Sequence, residues 1–254
     1  MSETPAPIYW YFDPQAGSAP SGLEGLFSAS EARRYESMKF ELRQKSFIAG
    51  RRAAKHLLMD CVPELRGCSP ARISIENRES GAPFVLVNGQ ELPGMLSISH
   101  CGDAAAAAYT SESSIRIGVD LEAIAPRAPS FLETYFTLLE LEWVLSAKEE
   151  DQALISTLIW SAKEAVLKAL QTGLRVDTRE IEILPDDSPA ADGWRRFRIA
   201  ATEGLRWQGY WRTSFDMVVT IAVDCSSLNT PVTLSKSYSP ASPATVTTKS
   251  PSGY

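Results

Sequence analysis

The chain has 254 residues, 44% of them hydrophobic, and a formal net charge of -6. That length supplies one large domain or two small packed ones. The acidic balance excludes a general nucleic-acid binder, which takes most of its affinity from a basic face, and no apolar run reaches the length needed to span a bilayer. Met1-Ser2-Glu3-Thr4-Pro5 has neither the basic start nor the apolar run of a secretory leader. Cys61, Cys68, Cys101 and Cys225 show no Cys-x-x-Cys spacing, so a reduced, cytoplasmic protein without membrane contact is expected.

Ile8-Tyr9-Trp10-Tyr11-Phe12 is rich in aromatic and β-branched residues and predicts a first strand, ended by Asp13-Pro14. Ser28 and Glu31 have capping-box spacing and open a helix that carries Arg33 and Arg34. A longer helix is expected over 40–61, apolar through Phe47, Ile48, Ala54, Leu57 and Leu58, and stopped by Pro63. Arg33, Arg34, Lys39, Arg43, Lys45, Arg51, Arg52 and Lys55 crowd this region, which makes it a local basic site for an anionic ligand. Strands at 72–76, 84–87, 95–99 and 104–109, separated by turn signals such as Asn88-Gly89 and Gly102-Asp103, predict a small antiparallel sheet on the long helix. The alanines from Ala104 to Ala108 are too small to fill a core alone, so a helix is expected close against them.

Ile115, Ile117, Val119 and Leu121 then alternate with Arg116, Gly118, Asp120 and Glu122, the pattern of a half-buried strand. Gly118, Asp120 and Glu122 therefore share a face. After a proline-marked break at 125–129, helices are expected over 131–146 and 154–170, with a solvated charge run at 148–151 between them and Gly173 as a C-cap. Trp160, Glu164 and Lys168 step along one stripe of the second helix. Singly, these features read plainly as a wet strand face and a surface ion pair. Together, two carboxylates on a strand and one on a helix form a hard, incomplete oxygen shell that suits Mg²⁺, and Lys168 adds a charge for phosphate oxygens.

Strands at 180–184, 195–200, 205–212 and 217–223 repeat the earlier order. The expected fold is α+β: two similar lobes related by a pseudo-twofold, each a small, mainly antiparallel sheet packed with helices. The first lobe is expected over 1–114 and the second, with the metal site, over 115–228. Residues 229–254, rich in Ser, Thr and Pro, read as a disordered tail.

Gly118-Val119-Asp120-Leu121-Glu122, a gap, then Trp160-Ser161-Ala162-Lys163-Glu164-Ala165-Val166-Leu167-Lys168 resembles the pattern of the Sfp-type 4′-phosphopantetheinyl transferases. Ser80-Gly81-Ala82-Pro83 is similar to that family's Gly-Lys-Pro turn, and Ser97-Ile98-Ser99-His100 to its Ser-x-Ser-His. The resemblance implies transfer of phosphopantetheine from coenzyme A to a serine of an acyl or peptidyl carrier protein by a monomeric enzyme, releasing adenosine 3′,5′-bisphosphate. It also implies Asp120, Glu122 and Glu164 as ligands of Mg²⁺, or Mn²⁺, with Glu164 as base and Lys168 as catalytic partner. Arg34, Gly81, Ala82, Pro83, Ser99, His100, Asp120, Lys163 and Lys168 are implied to contact the coenzyme, with Arg43, Lys45 and Arg51 as reserves for Arg34. Ala82 departs from the family lysine, and Arg78 is the expected substitute. A catalytically inactive binder of coenzyme A or carrier protein is the alternative that remains.

Overall fold

The computed structural model describes residues 6–17, 23, 25–201, 204–227 and 232–235. Its first half runs through β1 (Pro7–Asp13), α1 (Ala29–Glu36), α2 (Glu41–Cys61), β2 (Ile73–Asn77), β3 (Pro83–Val87), β4 (Gln90–Glu91), β5 (Met95–Cys101) and β6 (Ala104–Thr110). The second half runs through β7 (Arg116–Ala123), α3 (Pro129–Tyr135), α4 (Leu138–Ser146), α5 (Glu149–Leu170), β8 (Ile181–Pro189), β9 (Arg195–Ala201), β10 (Trp207–Ser214) and β11 (Met217–Asp224), and β12 (Thr233–Ser235) follows.

The halves pair their strands alike. β1–β6, β6–β5 and β2–β3 in the first correspond to β7–β11, β11–β10 and β8–β9 in the second, all antiparallel. This is the expected pseudo-twofold α+β arrangement. Several expectations need correction. The first-half strands do not form one sheet: β2-β3-β4 stands apart from β12-β1-β6-β5, whereas the second sheet is continuous as β7-β11-β10-β9-β8. Residues 233–235 of the expected disordered tail pair in parallel with β1, with Val232 and Leu234 buried, because the outer edge of β1 offers an unpaired ladder. The helix expected over 131–146 is two, since Thr137 caps α4 with its hydroxyl while Glu140 returns to the Thr137 N–H, a capping box that restarts the helix. At the end of α5, Gln171 rather than Gly173 takes the left-handed C-cap, and the residues from Glu149 to Asp151 form the first turn of that helix.

Period-2 alternation produces four layers. Ile8, Trp10, Phe12, Ala104, Ala106 and Ala108 face Ile117, Val119, Leu121, Val219 and Ile221 in one core shared by the two sheets. The opposite face of β1 and β6, with Tyr11, Ala105, Ala107 and Tyr109, packs with Ala53, Leu57 and Leu58 of α2. Val218 and Ala222 of β11 pack with Ala162, Ala165 and Val166 of α5. The alanines of β6 are thus covered on both sides, by a helix and by a second sheet. At Gly118 an added Cβ would stand 1.8 Å from the Ala165 carbonyl oxygen, so the space its missing side chain leaves is taken by α5 itself.

Candidate active site between the lobes

β5 and β7 are edge strands of different sheets, and side chains join them. An edge strand must satisfy its backbone N–H groups by other means. Ser97 Oγ accepts the Val119 N–H at 3.0 Å and Ser99 Oγ the Leu121 N–H at 3.2 Å, two serines on one face of β5 reading alternate residues of β7. Ser99 also donates to Asp120 Oδ1 at 2.9 Å. From α5, Lys168 Nζ donates to the same Asp120 oxygen at 2.7 Å, to Ser99 Oγ at 2.8 Å and to the Val119 carbonyl at 3.2 Å. The close approach that Gly118 permits is what brings Lys168 this near to the strand.

Asp120 is buried, and its Oδ2 has no hydrogen-bond partner. Glu122 is held at both oxygens: Trp160 Nε1 donates to Oε1 at 3.1 Å and Arg127 Nη2 to Oε2 at 3.1 Å. Arg127 also lies over the Phe131 ring, 4.9 Å from its centroid. Glu164, half-buried on α5, lines the cleft. Burial, and then the charge of Asp120, push the carboxyls of both Glu122 and Glu164 above the ordinary glutamate value, so the three acids repel one another in a common field.

A divalent cation fits the chemistry of this set: hard oxygen donors, mutual repulsion, and a buried carboxylate oxygen without a partner. Among the described residues no three such side chains close into a ready-made ligand set. Lys168 and Arg127 instead act as local counter-ions to Asp120 and Glu122.

Two cavities meet at Gly81, Pro83 and Ile98. One, about 300 Å³, is walled by the Ser80–Pro83 turn, Met95, Ser97, Ile117, Leu167, Glu164 and Lys168. The other, about 530 Å³, is walled by Arg34, Arg43, Arg51, Phe47, Asn77 and His100. Arg34, exposed, donates to Asn77 Oδ1 at 2.6 Å. His100 reaches solvent at this rim, and desolvation by the surrounding protein, then the Lys168 charge, lower its pKa.

Of the residues expected from sequence, Glu164, Lys168, Gly81, Ala82, Pro83, His100 and Arg34 therefore line one continuous depression, with Asp120 and Glu122 behind it. Some of the expectations are corrected. Lys163 is fully buried, paired with Glu140 at 2.8 Å and donating to the carbonyls of Thr178 and Ile181, so it has no donor left for a coenzyme. Ser99 is buried and spent on Asp120, Lys168 and Leu121. Arg78 lines neither cavity; it pairs with Glu91 and lies over Phe84. Arg43 and Arg51 do line the larger cavity, while Lys45 pairs with Glu41. Sequence reading missed Arg127 and Ser97. The proline-flanked position of Arg127 just beyond Glu122 was a signal; the role of Ser97 depends on a neighbouring sheet.

These features define a two-lobed α+β protein with an acidic, lysine-supported site of the kind that handles phosphoryl groups. Residues 116–211 match the model of the 4′-phosphopantetheinyl transferase superfamily. The chain is 26% identical over 224 residues to slr0495 of Synechocystis sp., covering 82% of this chain and 85% of that one. It is 26% identical over 212 residues to the 4′-phosphopantetheinyl transferase HetI of Nostoc sp., covering 76% and 86%. A holo-(acyl-carrier-protein) synthase from Bacillus anthracis solved with CoA (3′,5′-ADP) is 22% identical, covering 43% of this chain and 96% of that one with a TM-score of 0.38, too small a likeness to bear on the site. Over residues 116–211 the chain is therefore similar to the 4′-phosphopantetheinyl transferase superfamily, in keeping with its Sfp-type motifs.

Proposed function

We propose that this protein transfers the 4′-phosphopantetheine arm of coenzyme A to a serine of an acyl or peptidyl carrier protein and releases adenosine 3′,5′-bisphosphate. The observation that carries the reading is Glu164 and Lys168 on the wall of a cleft, with Asp120 paired to Lys168 and with Asp120 and Glu122 within electrostatic range of Glu164, where the cleft continues into a cavity bearing Arg34, Arg43 and His100. Acid and cation at one end, arginines at the other, suit a diphosphate with a second anionic terminus.

In this reading Asp120, Glu122 and Glu164 would hold Mg²⁺, which when bound would supply charge neutralisation for a diphosphate. Glu164 takes the serine proton as the serine oxygen bonds to phosphorus and the bisphosphate departs. Lys168, whose three N–H groups lie on Asp120, Ser99 and the Val119 carbonyl, holds Asp120 in place and brings positive charge to the cleft wall. His100, Arg34, Arg43 and the Gly81-Ala82-Pro83 turn seat the nucleotide. Among the described residues no helix is long and apolar enough to cross a membrane; we read the enzyme as a cytoplasmic monomer with lobes at 1–114 and 115–228.

Intact-mass spectrometry of an apo carrier protein incubated with this protein, coenzyme A and Mg²⁺ tests the reading. A gain of about 340 Da that vanishes without metal and in Glu164→Ala is expected; no gain with fatty-acid, polyketide or peptide-synthetase carriers would favour an inactive coenzyme-binding protein.

A further inference from the structure

One device occurs twice in the molecule, and only one copy adjoins the proposed chemistry. In the first lobe, Glu31 is the third residue of α1, where its carboxylate accepts the Ser28 N–H at 2.9 Å in a capping box. The same carboxylate accepts the Ile75 N–H of β2 at 3.0 Å and pairs with Lys55 of α2 at 2.5 Å. Lys55 Nζ completes its shell on the carbonyls of Leu26 and Pro70. In the second lobe, Glu140 caps Thr137 at 2.8 Å, accepts the Ile183 N–H of β8 at 2.7 Å and pairs with Lys163 of α5 at 2.8 Å. Lys163 Nζ completes its shell on two carbonyls, Thr178 and Ile181. Each pair ties a short helix, a strand and the long helix together at one point, at closely matching separations along the chain.

Both pairs are sealed from solvent, with side-chain exposures of 1% and 1% in the first and 0% and 0% in the second. A buried ion pair is weak evidence for stability, because an apolar pair of similar volume does as well or better. What it specifies is geometry: each donor and acceptor has one satisfied arrangement. On α5 the residue after the buried lysine is Glu164, and Lys168 lies just over a turn further on. On α2 the residue before the buried lysine's turn is Arg51, which pairs with Glu31 at 3.1 Å and lines the nucleotide-sized cavity.

We infer that Glu140 and Lys163 are positioning residues for the transfer. They fix the rotation of α5 about its axis, which aims Glu164 and Lys168 into the cleft, while the equivalent Glu31 and Lys55 set Arg51 and so act on coenzyme binding. The assignment rests on the transferase reading of Glu164 and Lys168. It gives the two copies different kinetic signatures, which a purely structural role would not.

The test compares Glu140→Leu/Lys163→Met with Glu31→Leu/Lys55→Met, apolar replacements of similar volume in each lobe. Both doubles strip partners from the backbone groups that each pair satisfies and are expected to lower the thermal transition; the second-lobe double is expected in addition to lose kcat by about 10²-fold, the cost of a slightly misplaced reacting group. The first-lobe double is expected to raise KM for coenzyme A and leave kcat unchanged. A probe independent of activity is the Trp160 indole N–H, assigned with Trp160→Phe, because it donates to Glu122 from the same helix. Its ¹⁵N resonance shifts in the second-lobe double and holds in the first-lobe one. Should the second-lobe double not fold, Lys163→Arg, which keeps the charge but changes the reach, is expected to move the same resonance and to recover part of kcat. Equal kcat losses in both doubles, or an unmoved Trp160 resonance, would overturn the inference. A moved resonance in a protein that transfers nothing would overturn the transferase reading and leave the positioning role standing.

Discussion

The two lobes use one scaffold for opposite purposes. One residue after its buried lysine, α2 carries His56, stacked on Tyr11 of β1 with ring centroids 4.3 Å apart, whereas α5 carries Glu164. β1 and β7 hold equivalent places in their sheets, yet β7 gives Asp120, held by Lys168 at 2.7 Å. The first lobe thus closes its helix–strand seam with a ring stack and turns arginines toward a cavity, while the second leaves carboxylates along the same seam. Fold explains the shared part, and the residues set on it explain the chemistry.

The largest effect that can break this contrast is at Glu164. Glu164→Gln is expected to lower kcat about 10²–10⁴-fold in the carrier-mass assay, the usual worth of a general base. His56→Gln, at the matching place in the first lobe, leaves kcat unchanged; equal losses would mean that the seam of α5 is no more reactive than that of α2.

Breaking one partner of a buried pair comes next. Lys163→Met strands Glu140 without its cation and is expected to cost about 3–5 kcal/mol in urea unfolding. Lys55→Met should cost less, because Arg51 remains on Glu31 at 3.1 Å.

The glycines separate the lobes by packing. Gly118→Ala drives a Cβ against the Ala165 carbonyl oxygen, 1.8 Å away, and overpacking of this kind costs about 1–3 kcal/mol or more. Gly50→Ala in α2 meets only Ile98 Cγ2 at 3.2 Å, and the gain in helix propensity, about 1 kcal/mol, offsets that contact. A near-neutral Gly50→Ala beside a destabilised Gly118→Ala is the expected pattern.

Proton linkage has opposite signs at the second lobe's Glu122 and Glu164 and at the first lobe's Glu76. Glu122 and Glu164 have raised pKa values when folded, so they bind more protons folded than unfolded just above the ordinary glutamate range. Their contribution to stability is full below that range and is lost as pH rises through the folded values. Glu76 of the first lobe, lowered chiefly by its hydrogen bond from Ser30, behaves the other way, contributing stability that is lost on acidification. Mg²⁺ is therefore expected to raise the melting temperature more at about pH 8 than at about pH 5. An equal rise at both would show that the metal does not relieve the second-lobe acids.

The smallest effect sharpens the nucleotide assignment. Arg78→Ala removes an exposed pair with Glu91 and should change stability by less than about 1 kcal/mol. It should also leave KM for coenzyme A unchanged, whereas Arg43→Ala, on the cavity wall, raises it.

Local rules made much of this legible. Alternation placed Asp120 and Glu122 on one face, helical spacing placed Glu164 and Lys168 on one stripe, and the Ser28/Glu31 spacing announced a cap that the structure contains. Those signals depend on neighbours a few residues away, and their geometry is fixed by the backbone repeat. Lys163 differs from expectation because nothing in its own helix distinguishes a lysine aimed at a ligand from one aimed at a glutamate of the preceding helix. The same holds for Ser99, whose partner strand lies in another sheet, and for Gly118, whose space is filled by α5. By itself the sequence determined most of the elements, the two-lobed order and which carboxylates share a strand face. Only the tertiary structure decided which buried charges face one another and which face the cleft, because satisfying a buried donor depends on groups brought together from distant parts of the chain.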